Sequence, residues 1–193
     1  MGAKEETQQK RWATILMDCP WDIQQRGGNY GADRHYPLMS LDEIRAMPIP
    51  DLLEENAMVW MWVTNATVEH GYEILRHWGL TPRSLFTWAK QKMGLGNYLR
   101  NATEHIILAT RGKAPIRFKS QMTWGIYPVQ KHSHKPEEIH KLIERCSHPD
   151  YLELFARRKY HGWSVWGNEV ESDIDIPGYP VPNSPSTRTK KSN

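Results

Sequence analysis

Cysteine is scarce in this 193-residue chain, with only Cys19 and Cys146. Two thiols make no disulfide framework, so a reducing compartment and a core without covalent staples are expected. Long apolar runs are missing too. None approaches the roughly 18 residues that a membrane span requires, and the first ten residues, MGAKEETQQK, are too polar for the apolar core of a signal peptide. No membrane partner is expected, and the chain reads as soluble, intracellular and cytoplasmic. Charge of one sign is also in short supply: the formal net charge is +3, below the strongly basic balance of a dedicated nucleic-acid-binding module. Phenylalanine is rare at three residues, whereas tryptophan is plentiful at nine. Indoles can act as base-stacking platforms, but large aromatics are more often core, and composition alone favours core by roughly three to one.

Short apolar runs alternate with helical patterns, which is the signature of an α/β fold with a largely parallel sheet. Buried strands are expected at Ala13–Met17, Met58–Val63, Leu85–Ala89, His105–Thr110, Met122–Val129, Leu152–Ala156 and Ser164–Trp166. Ser40 and Glu43 have capping-box spacing, opening a short helix that Pro48 stops. A second helix spans Thr67 to Trp78, with Gly79 as its C-terminal cap. Pro136 is placed in the first turn of a third, followed by Glu137 and Glu138 at its positive end. The glycine-rich run from Gln24 to Pro37 reads as a loop, as does Gly94 to Ala102. The domain is expected at 12–176, between a polar segment at 1–11 and a proline-rich, disordered tail at 177–193.

The most informative run is ATILMDCPWD, where an apolar strand stops at Asp18-Cys19-Pro20-Trp21. Ligands of open α/β sheets bind beyond the carboxyl ends of strands, so a carboxylate, a proline-stiffened turn and an indole there form a plausible chemical site. Taken alone, this tetrapeptide is more often a strand-ending turn with a buried Trp, by about four to one. The histidines flanking Ser133, His132 and His134, are more economically loop residues than metal ligands, and no metal is expected. Basic clusters at Arg111–Lys113 and Arg117–Lys119 are solvated faces or phosphate contacts.

The tetrapeptide has company. DCPWDI at Asp18–Ile23, MSLDEIRAMPIP at Met39–Pro50, WMWVTNA at Trp60–Ala66 and TEHIILATRGK at Thr103–Lys113 occur in order. They are followed by HSHKPEEIHKLIERCS at His132–Ser147, YLELFARR at Tyr151–Arg158 and GWSVWGNEV at Gly162–Val170. From Thr14 to Val170 the chain resembles the N6-adenosine methyltransferase family that includes the messenger-RNA adenosine methyltransferase and bacterial and phage DNA-modifying relatives. The resemblance is to a small bacterial or phage-like member. It implies a Rossmann-like methyltransferase fold, a mostly parallel sheet with helices on both faces and a permuted motif order. It implies S-adenosylmethionine as cofactor and the N6 amine of adenine in nucleic acid as acceptor, DNA ahead of RNA by roughly two to one.

The chemistry of that amine accounts for the tetrapeptide. Its lone pair is delocalised into the ring, so two acceptors on its two hydrogens would draw the nitrogen toward tetrahedral geometry. Asp18 offers one and the Cys19 carbonyl the other, with Pro20 fixing the direction of that carbonyl. Trp21 offers a face for a base taken out of its stack. By resemblance, Asp18 also touches the charged end of the cofactor and Lys135 pairs with its carboxylate. Arg157 and, more loosely, His161 stand near its ribose, while Asn168 and Glu169 stand beside its adenine and ribose hydroxyls. Tyr36 resembles the cover of the target base, and Trp88 and Lys90 are read as lining the substrate groove.

The sequence departs from the family in having Cys19 where the family usually has a second proline. Only seventeen residues precede Asp18, so an upstream acidic contact to the cofactor's adenine is expected to be missing or replaced. A non-catalytic scaffold subunit, or a methyltransferase acting on RNA adenine or a cytosine amine, remains an alternative. Partners compatible with the resemblance are nucleic acid and either a second copy of the chain or another subunit.

Overall fold

The computed structural model describes residues 10–22, 38–94, 96, 98–129 and 135–179. In chain order the elements are β1 (Trp12–Met17), α1 (Leu41–Arg45), α2 (Ile49–Leu52), β2 (Leu53–Val63), α3 (Val68–His77), β3 (Thr81–Ala89), β4 (Thr103–Arg111), β5 (Trp124–Ile126), α4 (Glu138–Cys146), β6 (Tyr151–Leu154) and β7 (Trp163–Trp166). The strands form one sheet in the order β5-β3-β4-β2-β1-β6-β7. Only β4 runs against its neighbours, so four of the six strand pairings are parallel. This is the expected α/β arrangement, and its topology has a local cause. Helix α3 carries the chain from β2 to β3 as a crossover that leaves a gap, and the direct β3–β4 connection returns β4 antiparallel into it.

Alternation along the strands splits the core between two faces. Ile15, Met17, Val59, Met61, Val63 and Ile107 point to the side covered by α1, α2 and α3. Leu16, Trp60, Trp62, Ile106 and Leu108 point to the side covered by α4, whose Ile139, Leu142 and Ile143 complete that layer. Seven of the nine tryptophans are buried, Trp21 is half-buried and Trp124 is exposed. Composition's preference for core was therefore right for most of them. Among the described residues no helix is long and apolar enough to cross a membrane.

The helix signals act as anticipated at α1 and α3. Ser40 Oγ accepts from the Glu43 N–H at 3.2 Å, while Glu43 Oε2 accepts from the Ser40 N–H at 2.7 Å. At the end of α3, Gly79 takes φ +75°, and the amides of Gly79 and Leu80 donate to the carbonyls of Arg76 and Leu75. That pair is a Schellman cap, and only a left-handed residue closes it cheaply.

Three expectations need correction. Pro136 precedes the N-cap Glu137 and so lies just outside α4, although its carbonyl accepts the Ile139 N–H at 3.2 Å. Pro48 ends α1 but also caps α2, a four-residue turn absent from the sequence reading. β6 stops at Leu154 because Phe155 takes φ 62°, which a ladder residue cannot adopt.

Candidate active site

Asp18 is the first residue beyond β1, an interior strand buried over its whole length. Its Oδ2 accepts a hydrogen bond from Lys135 Nζ at 2.8 Å. Lys135 lies just ahead of α4, so the docking of that helix delivers an ammonium to the tip of β1. The same ammonium stands 3.1 Å from Glu104 Oε2, and Glu104 Oε1 accepts in turn from Lys90. Charges of alternating sign are thus linked across the carboxyl end of the sheet, from β1 over β2 to the tips of β4 and β3. Two indoles lie against the ammonium groups: Trp62 is 5.0 Å from Lys135 Nζ and Trp88 is 4.8 Å from Lys90 Nζ. The two rings meet edge to face at 6.1 Å.

The mutual pairing decides the protonation states. Burial alone would raise the Glu104 carboxyl, but the Lys135 and Lys90 ammonium groups outweigh it and hold the pKa below its ordinary 4.5. Burial likewise opposes charge on Lys135, yet Asp18 and Glu104 lift its pKa above the ordinary 10.5. Both groups are charged at neutral pH. Cys19 behaves differently: burial first, then the neighbouring Asp18 charge, push its thiol well above 9.0. Its sulfur is therefore an inert filler, and its carbonyl is the group available for chemistry. That carbonyl accepts the Trp21 N–H at 3.0 Å, across Pro20. One of its two lone pairs is used in this tight turn and the other remains.

Met39 is anchored beside this tip. The Asp22 N–H donates to the Met39 carbonyl at 2.8 Å, and the Met39 N–H donates to that of Pro20 at 2.7 Å. Tyr36 itself lies outside the described residues, as do His132 and His134.

A second cluster forms at the tips of β6 and β7. Gly167 follows β7, and a Cβ there would stand 2.0 Å from the Ala156 carbonyl oxygen. Only glycine allows the two tips to approach so closely. The approach sets Arg157 Nε 3.6 Å from Glu169 Oε1, with Asn168 half-buried between β7 and the exposed Glu169. His161 is not drawn into this group. It is exposed in the turn that enters β7, at the end of the strand away from Gly167.

Trp88 does not line a groove. It is 2% exposed, and its Nε1 donates to the Tyr127 carbonyl at 2.9 Å. Strand parity turns it with Phe86 into the α4 face, leaving Lys90 as the group this strand end presents. The basic clusters are also displaced from the site. Arg111 closes β4 at the end opposite Asp18 and donates to the Pro50 carbonyl at 2.6 Å. Arg117 donates to the carbonyls of Glu144 and Ser147 at the C-terminus of α4.

Glu104 was missed by sequence reasoning. Its signal was a carboxylate near the start of a strand otherwise rich in Ile, Leu and Ala, inside the run Thr103–Lys113. A half-buried acid there needs cations, and two lysines supply them. Because the folded-state pKa is depressed, the ionised carboxylate stabilises the fold above pH 4.5, and that contribution is lost as pH falls through the lowered value. Glu104→Gln is therefore expected to flatten the acid limb of a melting-temperature profile below about pH 4.5. A limb as steep as that of the wild type would show that Glu104 is not the group responsible.

A family model described as MT-A70 matches residues 12–169. The chain belongs to the MT-A70 family. Both clusters fall inside the matched MT-A70 region, which opens at the start of β1 and closes at Glu169. The chain is 25% identical to a Mycoplasma protein named type II methyltransferase M.MunI, over 87% of this chain and 82% of that one. It is 28% identical to the human N(6)-adenosine-methyltransferase catalytic subunit METTL3 over 83% of its own length. A Medicago truncatula protein named putative N(6)-adenosine-methyltransferase MT-A70-like is 27% identical, also over 83% of this chain. The chain spans about a quarter of the human and Medicago MT-A70 proteins, at 28% and 26%.

Proposed function

We propose that this chain transfers the methyl group of S-adenosylmethionine to the N6 amine of adenine in DNA. Membership of the MT-A70 family supports the adenine-N6 methyltransferase reading, and the residue-level reading rests on one observation: the Asp18–Lys135 contact at the tip of an interior strand. The donor set suits the cofactor. Lys135 offers an ammonium for its carboxylate, and Glu169 offers an exposed carboxylate for ribose hydroxyls beside Arg157 and Asn168.

When bound, S-adenosylmethionine supplies an electrophilic sulfonium methyl group. Asp18 accepts one N6 hydrogen and the Cys19 carbonyl, through its remaining lone pair, accepts the other, which frees the nitrogen lone pair for attack. Positive charge developing on that nitrogen would lie beside the Asp18 carboxylate, toward which the surplus proton would leave. Lys135 orients that carboxylate, and Trp21 provides a face for the extruded base. Catalysis is mainly positioning in a water-poor site.

The likeness to the type II methyltransferase, over 87% of this chain, supports DNA ahead of RNA. Incubation with labelled cofactor and matched DNA and RNA, followed by digestion to nucleosides, is expected to yield N6-methyldeoxyadenosine. A methylated cytosine would overturn the choice of base, and label confined to RNA would overturn the choice of polymer. Absence of both transfer and cofactor binding would favour a scaffold subunit.

A further inference from the structure

The connection between β3 and β4 leaves the sheet at the same end as Asp18 and begins with Lys90, which Glu104 tethers to the site. It is a built structure. The Lys90 N–H donates to the Ala102 carbonyl and the Gly94 N–H to that of Asn101, both at 2.7 Å. Asn65 Nδ2 donates to Asn101 Oδ1 at 3.0 Å, and Asn65 Oδ1 meets His105 Nε2 at 2.9 Å, so the base of the loop is fastened to β2 and β4. Near the apex, a Cβ on Gly96 would stand 1.9 Å from the Leu99 carbonyl oxygen, so the turn closes too tightly for any other residue.

This pinned base holds out side chains that a folded domain ordinarily covers. Met93 is 80% exposed, Leu99 84% and Tyr98 fully so. Between residues 90 and 103 the charged residues are Lys90, Lys92 and Arg100, with no acid among them. Among the described residues Arg100 reaches only the Gly96 carbonyl, at 3.4 Å, and Lys92 has no acidic partner. An exposed phenol flanked by unneutralised cations is how proteins hold a nucleic-acid strand: ring on base, cation on phosphate.

We propose that this loop is the platform for the nucleotides flanking the target base, with Tyr98 stacking on a neighbouring base and Lys92 and Arg100 neutralising phosphates. The proposal rests on the adenine-methyltransferase reading above and adds the surface by which the polymer is held. A strand is favoured over a second copy of the chain, because a self-complementary contact would bring two uniformly positive loops together.

The test uses the full chain, a short single-stranded DNA containing adenine, and its duplex. Tyr98→Ala is expected to raise KM for the single strand about tenfold, and Tyr98→Phe to leave it near wild type, because the ring does the stacking. Lys92→Ala combined with Arg100→Ala should reduce the slope of log affinity against log salt by about 1.4, or about 0.7 per phosphate contact. kcat at saturating DNA and the cofactor affinity should not change in either variant. Wild-type KM and salt slope in these variants would overturn the proposal. So would a wild-type dimer that Tyr98→Ala dissolves, since the loop would then be an interface between copies. A wild-type chain that methylates no nucleic acid would remove the functional reading itself, a result distinct from variants that match an active wild type.

Discussion

Asp18→Ala is expected to lower methyl transfer about a thousandfold or more, the scale seen when a preorganised group facing developing charge is removed. Two contributions disappear together: the acceptor that helps free the amine's lone pair, and the carboxylate facing the positive charge on nitrogen. The fold should survive. Asp18 lies outside the β1 ladder, and Lys135 keeps Glu104 at 3.1 Å. Single-turnover rates at saturating cofactor, read beside the melting temperature, separate the two effects. Near-wild-type turnover in a folded variant would end the mechanism. Asp18→Asn is the finer probe, because its amide oxygen still accepts a hydrogen bond but carries no charge, so partial activity there would divide hydrogen bonding from charge.

Lys135→Met should act at an earlier step. The ammonium is shared by Asp18 and Glu104, and its loss leaves two carboxylates facing one another across the place it filled. Truncating one member of a partly buried charge pair commonly costs several kcal/mol, which corresponds here to about a hundredfold weaker cofactor binding. Glu104 also loses its leading counter-charge, so burial should drive its carboxyl upward, destabilising the variant mainly above the ordinary carboxylate range and leaving its acid limb flatter than that of the wild type. Titration calorimetry with S-adenosylmethionine checks the first effect, and thermal melts across the acid range check the second. Lys135→Arg should recover part of the affinity by restoring the charge. Unchanged calorimetry in Lys135→Met would detach this lysine from the cofactor.

The sheet was legible because its interior strands are nearly all apolar. Met58–Val63 declares a strand buried on both faces, and Ala13–Met17 declares its neighbour. Edges were less clear. Met122–Val129 reads as eight apolar-biased residues, but β5 has a partner only in β3 and keeps three residues in register. The reverse error affected β2, whose polar first half, Glu54 to Asn56, carries no strand signal, although the element starts at Leu53.

At the site, Asp18 was marked by its place after an apolar run, but its partner was not. Lys135 is 117 residues away in sequence, and no periodicity joins the two. Only the family resemblance suggested a role for it. Glu104 stood inside a run that resembles the family but was given no role, since a single carboxylate in a strand is usually read as an exposed edge. Trp88 was misplaced because an indole beside a lysine suggests a groove, whereas strand parity sends it inward.

The pairing of β1 with both β2 and β6 has a further consequence for how the protein comes into being. Within this sheet the strand bearing Asp18 is synthesised before the others, yet its second neighbour, through Thr14 and Tyr151, follows only after β2 to β5, as do Lys135, Arg157 and Glu169. Such distant pairings fold late, because a long loop must close before they form. A ribosome-bound chain that stops short of Tyr151 would carry the reactive tetrapeptide without the strands that complete the site. Catalytic competence should therefore appear abruptly once β6 and β7 have been made and dock beside β1.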